Sequence, residues 1–231
     1  MPVSSARTKS AVLHPEARET GKPSNRARRI KPDQAGSMRE EVNAYKKDLI
    51  LRAACETFYD HGYHDTTVDM LAARLSGTKA IFYYYYPDKR AVLDELFSRT
   101  FASALEVLHT ALEESGTPTE TLTRFARRYT EWVIDNQKFV AVFWREECTI
   151  SKELRITIAR QQKRFDDGVA TIIRRGVACG EFDSKDPQST SRAISGMLSF
   201  MYTWWRDGRR ISRKVAADDN AELILRMVRK T

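Results

Sequence analysis

The sequence predicts an all-α fold with about nine helices. Apolar residues recur at the three- and four-residue spacing of a helix face from Val42 to the C-terminus, and no segment shows the alternation of a half-buried strand. Residues that cap helices, and glycines and prolines that end them, separate one periodic segment from the next. These observations favour packed amphipathic helices over any fold that contains a sheet.

The first helix is expected to run from Val42 to Gly62. One stripe of its surface carries the small and apolar residues Ile50, Ala53, Ala54, Thr57 and Phe58. Gly62 is suited to end this helix, because many helices close with a glycine in the left-handed conformation.

Two short helices are expected next, with an abrupt turn between them. The apolar face of the first consists of Val68, Leu71, Ala72 and Leu75. Either Asp65 or Thr66 can cap it, and Ser76-Gly77 breaks its pattern. The second covers residues 78–85, because the proline that follows disfavours helical backbone just before it.

Longer helices make up the rest of the chain. Asp88 can cap the first of them, and Thr117 with Glu120 forms a capping box that opens the next. Ser151 and Asp186 are suited to cap two later helices. The remaining helical segments are expected near 138–147, over 151–179, over 187–207 and at the C-terminus.

Composition and charge limit the classes of function. The chain has 231 residues and a formal net charge of +8, which suggests an anionic partner such as nucleic acid. No apolar run approaches the roughly 20 residues of a membrane-spanning helix. The sparse cysteines Cys55, Cys148 and Cys179 fit no metal or redox spacing. We therefore expect a cytoplasmic protein whose cysteines are buried free thiols.

Residues 1–41 differ from the rest of the chain. They contain no aromatic residue but several prolines, so we expect a disordered basic tail. Its basic cluster has two possible interpretations. It either contacts DNA phosphates or the minor groove next to the DNA-binding domain, or it is a solvated segment without a function. The cluster consists of Arg26, Arg28, Arg29 and Lys31.

The two short helices and the helix before them form a helix-turn-helix unit, whose second helix can enter the major groove of DNA. Residues 81–90 of this unit have the sequence IFYYYYPDKR. Either Ile81 or Phe82, together with Tyr86, is expected to pack the second helix from behind. The groove and its walls are then left to Thr78, Lys79, Tyr83, Tyr84 and Tyr85. Lys89 begins the next helix, where its charge and the free backbone N–H groups attract a phosphate.

This region resembles the DNA-binding domain of the tetracycline-repressor (TetR) family. The likeness extends over residues 66–93, TTVDMLAARLSGTKAIFYYYYPDKRAVL, and the preceding ILRAACETFYDHGYHDTT. It implies phosphate contacts by Thr67, Tyr85 and Lys89, and contacts to bases or nearby backbone by Thr78, Lys79, Tyr83 and Tyr84. One departure is that Ser76 precedes Gly77, where the family has a glycine and then an apolar residue. Either Ser76 is strained or the turn is shifted by one position.

The resemblance also implies a domain order and an assembly. Residues 42–92 would form the DNA-binding domain and residues 93–231 a helical ligand-binding and dimerisation domain. The two long helices after Ser151 would build a bundle between two subunits. Five side chains are candidates for this interface between subunits: Phe165, Ile172, Met197, Phe200 and Met201. The alternative is that they belong to the core of a single chain.

The C-terminal sequence GMLSFMYTWWRDGRRIS suggests a ligand. It resembles a segment of TetR-type regulators of fatty-acid, steroid and aromatic-acid breakdown, several of which respond to acyl-coenzyme A thioesters. The predicted ligand-binding residues are Trp132, Phe143, Trp144, Arg164, Phe200, Trp204 and Arg206. Further arginines considered for the phosphates of coenzyme A are Arg160, Arg209 and Arg210. The alternative is that the aromatic residues are ordinary core, which is the more frequent role of such a stripe.

The resulting prediction is a homodimeric repressor that binds a roughly palindromic double-stranded operator and is released by a small ligand. A DNA-binding activator, or a regulator without a ligand, is the nearer alternative, and an all-α enzyme is the remote one. No catalytic residue, metal or cofactor is expected. His61 and His64 have helical spacing, but Gly62 breaks the helix between them.

Overall fold

A computed structural model describes residues 32–206 and 211–229. The described part contains nine α-helices, one 3-10 turn over Phe200–Thr203 and no β-strand, which confirms the all-α prediction. The helices are α1 Pro32–His61, α2 Val68–Arg74, α3 Lys79–Tyr85, α4 Lys89–Glu113, α5 Pro118–Asp135, α6 Gln137–Glu146, α7 Lys152–Ala178, α8 Pro187–Ser199 and α9 Arg213–Val228. The chain divides into two units, Met1–Glu41 and Val42–Thr231, and every contact described below lies within the second.

The first helix begins earlier than predicted, at Pro32 rather than Val42. Proline is tolerated at the first helical position, because the N–H it lacks would have no acceptor within the helix. The residues that follow include alanine, methionine, arginine and glutamate, which favour helix. Helix therefore replaces the predicted disorder over residues 32–41. The basic cluster from Arg26 to Lys31 lies outside the described residues.

Two apolar clusters hold the helices together. The first is built from α1, α2, α3, α6 and the N-terminal parts of α4 and α7, and its buried residues include Phe58, Leu71, Phe82, Leu96 and Ile158. The second joins α5, α8 and α9 to the later parts of α4 and α7, and its buried residues include Leu108, Phe125, Val169, Ile194 and Ile224. Because α4 and α7 contribute to both clusters, they connect the end that carries α2 and α3 with the rest of Val42–Thr231.

Most of the predicted caps are present. Asp88 accepts a hydrogen bond from the Ala91 amide at 2.8 Å, and the predicted capping box opens α5. Ser151 and Asp186 cap α7 and α8. The cap of α2 was predicted wrongly: it is Thr67, because the Thr66 hydroxyl is buried and donates to the Gly62 carbonyl at 2.7 Å.

The long helix predicted over 187–207 is shorter than expected. Its α-helical part ends at Ser199 and tightens into the 3-10 turn, as helix ends often do. The tighter winding brings Met201 and Trp205 into the core and leaves Phe200 and Trp204 exposed.

The residues considered for a dimer seam fall mostly in the intrachain core. Phe165, Ile172 and Met201 are buried within one chain, and Met197 packs at the edge of the same cluster. Phe200 alone among them is exposed. Most of the residues predicted for the subunit interface therefore do not lie on the outward faces of α7 and α8.

The cysteine prediction is correct only for Cys55, which is buried so that desolvation raises the pKa of its thiol to about 12. Cys148 and Cys179 are exposed, since one lies in the link after α6 and the other ends α7. Over residues 32–206 and 211–229, no helix has the length and hydropathy needed to cross a bilayer.

Candidate nucleic-acid interface and ligand cavity

The turn between α2 and α3 follows the first of the two alternatives, in which Ser76 takes the strained position and the turn is not shifted. Ser76 adopts a left-handed conformation with φ of +50°, so the serine itself takes the position for which glycine is favoured. The amides of Ser76 and Gly77 donate to the carbonyls of Ala73 and Ala72, each at 3.0 Å. These two bonds close the end of α2 and set the direction in which α3 leaves.

The inner face of α3 is held by two aromatic rings. Phe82 and Tyr86 are buried in the first apolar cluster, with ring centroids 6.2 Å apart. Burial raises the pKa of the Tyr86 phenol, and the neighbouring Glu95 carboxylate acts in the same direction. Ile81, the other candidate for this role, is 48% exposed. Of the two alternatives for the inward residue, Phe82 rather than Ile81 therefore packs behind the helix with Tyr86.

The outer face of α3 presents tyrosines to solvent. Tyr84 is 70% exposed and Tyr83 is 52% exposed, while Thr78 and Lys79 at the start of the helix are also exposed. Lys79 forms a 2.9 Å ion pair with Asp69 of α2, and this hydrogen-bonded contact raises the pKa of Lys79. A helix that is buried on one side and lined by aromatic hydroxyls on the other suits a DNA groove.

Thr67 and Tyr85 differ in what they can offer a phosphate. Thr67 is exposed, and its hydroxyl oxygen accepts from the Met70 amide at 3.3 Å, so its hydroxyl proton remains free to donate. Tyr85 is half-buried, and its hydroxyl donates to Asn43 Oδ1 of α1 at 3.2 Å. A phenol has one proton, so Tyr85 ties α3 to α1 and cannot donate to a phosphate in this arrangement.

Lys89 is held by backbone carbonyls of the link between α1 and α2. Its Nζ lies 2.7 Å from the Tyr63 oxygen, 3.0 Å from that of His64 and 2.8 Å from that of Thr66. It also sits 4.5 Å from the centroid of the Tyr63 ring. An ammonium group has three N–H donors, and all three are engaged. In this structure Lys89 thus fastens this link to α4, and the phosphate contact expected of it stays a prediction.

The end of α6 contacts the same link and the last turn of α1. Glu146 is buried, and its Oε1 accepts from the Tyr63 amide at 3.1 Å. Arg145 donates to the carbonyls of Phe58 and, at 3.1 Å, Tyr59, the last turns of α1. Sequence analysis missed this pair, because its partners lie more than 80 residues away along the chain.

A cavity of about 320 Å³ lies among α4, α5, α6, α7 and α8. Its aromatic walls come from Phe101, Tyr129, Trp132, Phe143, Trp144 and Phe165. Its polar lining includes Thr100, Gln161, Gln162, Asp166, Arg192, Ser195 and Ser199. The volume is at the lower end of the roughly 300–1,000 Å³ of small-molecule sites, and the apolar lining is typical of them.

The structure brings only part of the predicted ligand set to this cavity. Trp132, Phe143 and Trp144 line it, but Phe200 and Trp204 are exposed and do not. Of the five arginines considered, the three that the structure describes are absent from the lining. Arg160 and Arg164 are exposed on α7, Arg206 donates to the carbonyls of Tyr202 and Trp205, and Arg209 and Arg210 lie outside the described residues.

Comparison with protein families decides the class of the chain. Residues 50–96 match the model described as "Bacterial regulatory proteins, tetR family", and residues 115–228 match that described as "Tetracyclin repressor-like, C-terminal domain". The chain belongs to the TetR family of transcriptional regulators. As a TetR-family chain it is a DNA-binding regulator of transcription.

Individual relatives agree with this assignment. A tetR-family regulatory protein from Rhodococcus RHA1 has a TM-score of 0.75 at 25% identity, over 80% of this chain and 98% of that one. The fatty acid metabolism regulator protein of Bacillus subtilis is 23% identical over 157 residues, 68% of this chain and 81% of its own. AibR, solved in complex with isovaleryl coenzyme A and operator DNA, shares the fold with a TM-score of 0.69 at 22% identity, over 77% of this chain and 97% of that one.

Proposed function

We propose that this TetR-family regulator is a cytoplasmic homodimeric repressor that binds a roughly palindromic operator and leaves it when a small ligand fills the cavity. The observation that carries the proposal is the two-sided character of α3. Phe82 and Tyr86 are sealed inside, whereas Tyr83 and Tyr84 face solvent on the same short helix. A large aromatic side chain left in water at the exposed edge of a helix-turn-helix unit is explained by a partner that covers it.

The proposed DNA contacts follow from the hydrogen-bonding groups that each side chain does not use within the protein. Tyr83, Tyr84 and Lys79 would meet base edges and nearby backbone, and Thr78 would stand at the entry of the groove. Thr67 would donate its free hydroxyl proton to a phosphate. Tyr85 and Lys89, whose polar atoms are engaged within the chain, would hold α3 and the α1–α2 link in position.

The boundary between the proposed domains falls near Val92, within α4. Residues 42–92 would carry the DNA-binding function and residues 93–231 the ligand and dimer functions. The dimer surface we propose is the outward face of α8 and of the 3-10 turn that follows it, where Ala193, Gly196 and Phe200 are exposed. Two such subunits would place their α3 helices in successive major grooves, about 34–36 Å or a multiple apart.

Ligand release would act through two helices that reach both sites. Phe143 and Trp144 of α6 line the cavity; of the next two residues, Arg145 bonds the last turn of α1 and Glu146 holds the α1–α2 link. Phe101 of α4 lines the cavity, and Lys89 at the start of α4 holds the same link. A ligand that binds better to a second arrangement of α4 and α6 would shift the protein away from the DNA-competent form.

An acyl-coenzyme A thioester is one candidate ligand. The resemblance of the C-terminal sequence supports it, and so does the fold shared with AibR, which was solved with isovaleryl coenzyme A. The cavity lining opposes it, because the phosphates of coenzyme A require several cations and Arg192 is the cation in the described lining.

The test is to sequence the genomic DNA that the purified full-length protein retains at moderate ionic strength. We expect one or a few sites with two-fold symmetry, at least one of them in a promoter. A reporter driven by that promoter should become more active when the gene is deleted. Retention without sequence preference would contradict the proposal, and a loss of reporter activity on deletion would favour an activator instead.

A further inference from the structure

The carboxyl group of Asp166 meets the aromatic cavity with part of its surface withdrawn from water. The residue is half-buried on α7 and lines the cavity. Burial raises the pKa of Asp166, while the hydrogen bond from Ser195 and the charge of Arg192 act against this rise. Burial also raises the pKa of Tyr129, and the Asp166 charge adds to that rise, so the carboxylate lies near this ring. A carboxylate that has lost part of its hydration is stabilised by a positive partner.

One oxygen of this carboxylate is available to such a partner. Asp166 Oδ1 accepts from the Ser195 hydroxyl at 3.1 Å. Oδ2 has no hydrogen-bond or ion-pair partner in the described part of the chain, and it is not sealed from solvent. The adjacent Asp167, in contrast, pairs with Lys163 at 2.6 Å and accepts from Gln188 at 3.2 Å. Asp167 is therefore satisfied within the chain, whereas Asp166 keeps one oxygen free.

The aromatic walls of the cavity favour the same sign of charge. The ring centroid of Tyr129 lies 4.9 Å from that of Phe165 and 5.4 Å from that of Trp132, and those of Phe101 and Phe143 are 4.8 Å apart. The face of an aromatic ring carries partial negative charge, so it attracts cations and repels anions. Rings and carboxylate together therefore form an environment suited to a cation.

Arg192 is the group of the lining that would oppose a cation. Its charge formally balances that of Asp166, but the side chain is exposed at the border of the cavity. Within the residues that the structure describes, no ion pair joins it to Asp166. Water screens an exposed charge more effectively than a half-buried one. Inside the cavity, the influence of Asp166 and the ring faces therefore outweighs that of Arg192.

We propose that the cavity binds a small cation, an amine or quaternary ammonium group carried on an apolar ring, with its charge beside Asp166 Oδ2 and its ring among the aromatic walls. The inference rests on the proposed function in one respect, that this cavity is the ligand site. A volume of about 320 Å³ accommodates a ligand of one or two rings. An anionic ligand would be repelled by Asp166 and by the ring faces.

Three probes of nearly equal shape test the charge requirement: 2-aminoindane, which is protonated at pH 7, neutral 2-indanol and anionic indane-2-carboxylate. Their binding to the full-length protein is measured by titration calorimetry at pH 7. We expect 2-aminoindane to bind roughly tenfold more tightly than either of the others, because it alone gains from both the carboxylate and the rings. Equal affinities, a preference for indane-2-carboxylate, or no binding of 2-aminoindane would overturn the proposal.

Two asparagine variants locate the effect. Asp166→Asn removes the charge but keeps an oxygen that can accept from Ser195, so it should remove most of the advantage of 2-aminoindane over 2-indanol. Asp167→Asn makes the same change at the adjacent position outside the cavity lining and should leave the ratio within about twofold. An unchanged ratio in Asp166→Asn, or an equal loss for all three probes, would reject the assignment of this residue.

Isovaleryl coenzyme A and operator DNA separate this inference from the proposed function. If isovaleryl coenzyme A binds more tightly than 2-aminoindane and Asp166→Asn does not weaken 2-aminoindane, the cation hypothesis is wrong while a ligand-responsive repressor remains. If 2-aminoindane binds with the expected selectivity but leaves the operator complex intact, the cation site is supported and release by this ligand is contradicted. Retention of operator DNA is measured without any ligand, so its failure would reject the proposed function independently of these titrations.

Discussion

The DNA-binding end and the ligand cavity are built from the chain in opposite ways. The first is local: the cap at Thr67, the turn at Ser76 and the tyrosines of α3 lie within residues 66–89. The second draws on five helices, from Thr100 in α4 to Ser199 at the end of α8. A local site leaves a contiguous pattern in the sequence, whereas a cavity assembled from distant segments leaves only scattered aromatic residues.

The two ends also differ in what their exposed groups imply. On α3 the polar outer face is large and open, so it suits a rigid partner with a wide groove. In the cavity six aromatic side chains enclose a small space beside seven polar ones, so its lining selects the chemistry of a small molecule. Three substitutions at the DNA-binding end sharpen this contrast, because each separates folding from recognition.

The largest effect is expected from Phe82→Ala. Removing a fully buried ring from the first apolar cluster should lower the free energy of unfolding by about 3–5 kcal/mol, through lost burial and the cavity left behind. Urea denaturation followed by circular dichroism measures the change. Ile81→Ala, the exposed neighbour, serves as control and should change stability by less than about 0.5 kcal/mol. A larger loss of stability in Ile81→Ala than in Phe82→Ala would show that the inward face of α3 is assigned wrongly.

A smaller loss of stability is expected from Lys89→Met, because three carbonyls of the α1–α2 link lose their donors. The free energy of unfolding should fall by about 2–4 kcal/mol. Since Lys89 is engaged within the chain, the dependence of operator affinity on salt should keep the same slope. If the slope of log affinity against log salt concentration fell by about 0.9 while stability stayed unchanged, Lys89 would contact a phosphate directly.

Arg90→Met is the matched control for Lys89→Met. It removes the same charge from the adjacent exposed position without touching the three carbonyls. We expect its free energy of unfolding to remain within about 0.5 kcal/mol of the original.

Tyr84→Ala should affect recognition alone. Its ring is largely in solvent, so stability should change by less than about 0.5 kcal/mol. Operator affinity should fall by about 1–3 kcal/mol, or roughly fivefold to 150-fold, as measured by fluorescence anisotropy. Tyr59→Ala, an exposed tyrosine outside the α2–α3 unit, should bind the operator normally. Equal binding by both variants would remove Tyr84 from the interface.

The local signals of the sequence were sufficient for much of the fold. The capping box at Thr117 and the cap at Asp88 depend on residues three positions apart, and both are present. The buried pair on α3 followed from its place in a recognisable helix-turn-helix unit. The early start of α1 and the 3-10 turn after Ser199 were missed, because weak helix preferences in neighbouring residues do not determine where a helix starts or stops.

The sequence could not predict the role of site residues whose hydrogen-bond partners are far away along the chain. Lys89 was expected to bind a phosphate, but its three carbonyl partners belong to a segment more than 20 residues earlier. Arg145 and Glu146 gave no signal, since nothing in a charged pair indicates which backbone groups it will meet. The arginines chosen for coenzyme A were selected by charge alone, and those described face solvent or nearby carbonyls.

By itself, the order of residues determined that this chain forms helices, where most of them are capped, and which short helix turns tyrosines outward. These properties arise from interactions between residues a few positions apart. Packing of Val42–Thr231 decided the rest: that Lys89 and Glu146 hold the α1–α2 link, and that the described arginines chosen for coenzyme A lie outside the cavity. Those features depend on contacts between distant segments, whose geometry exists only once the helices are assembled.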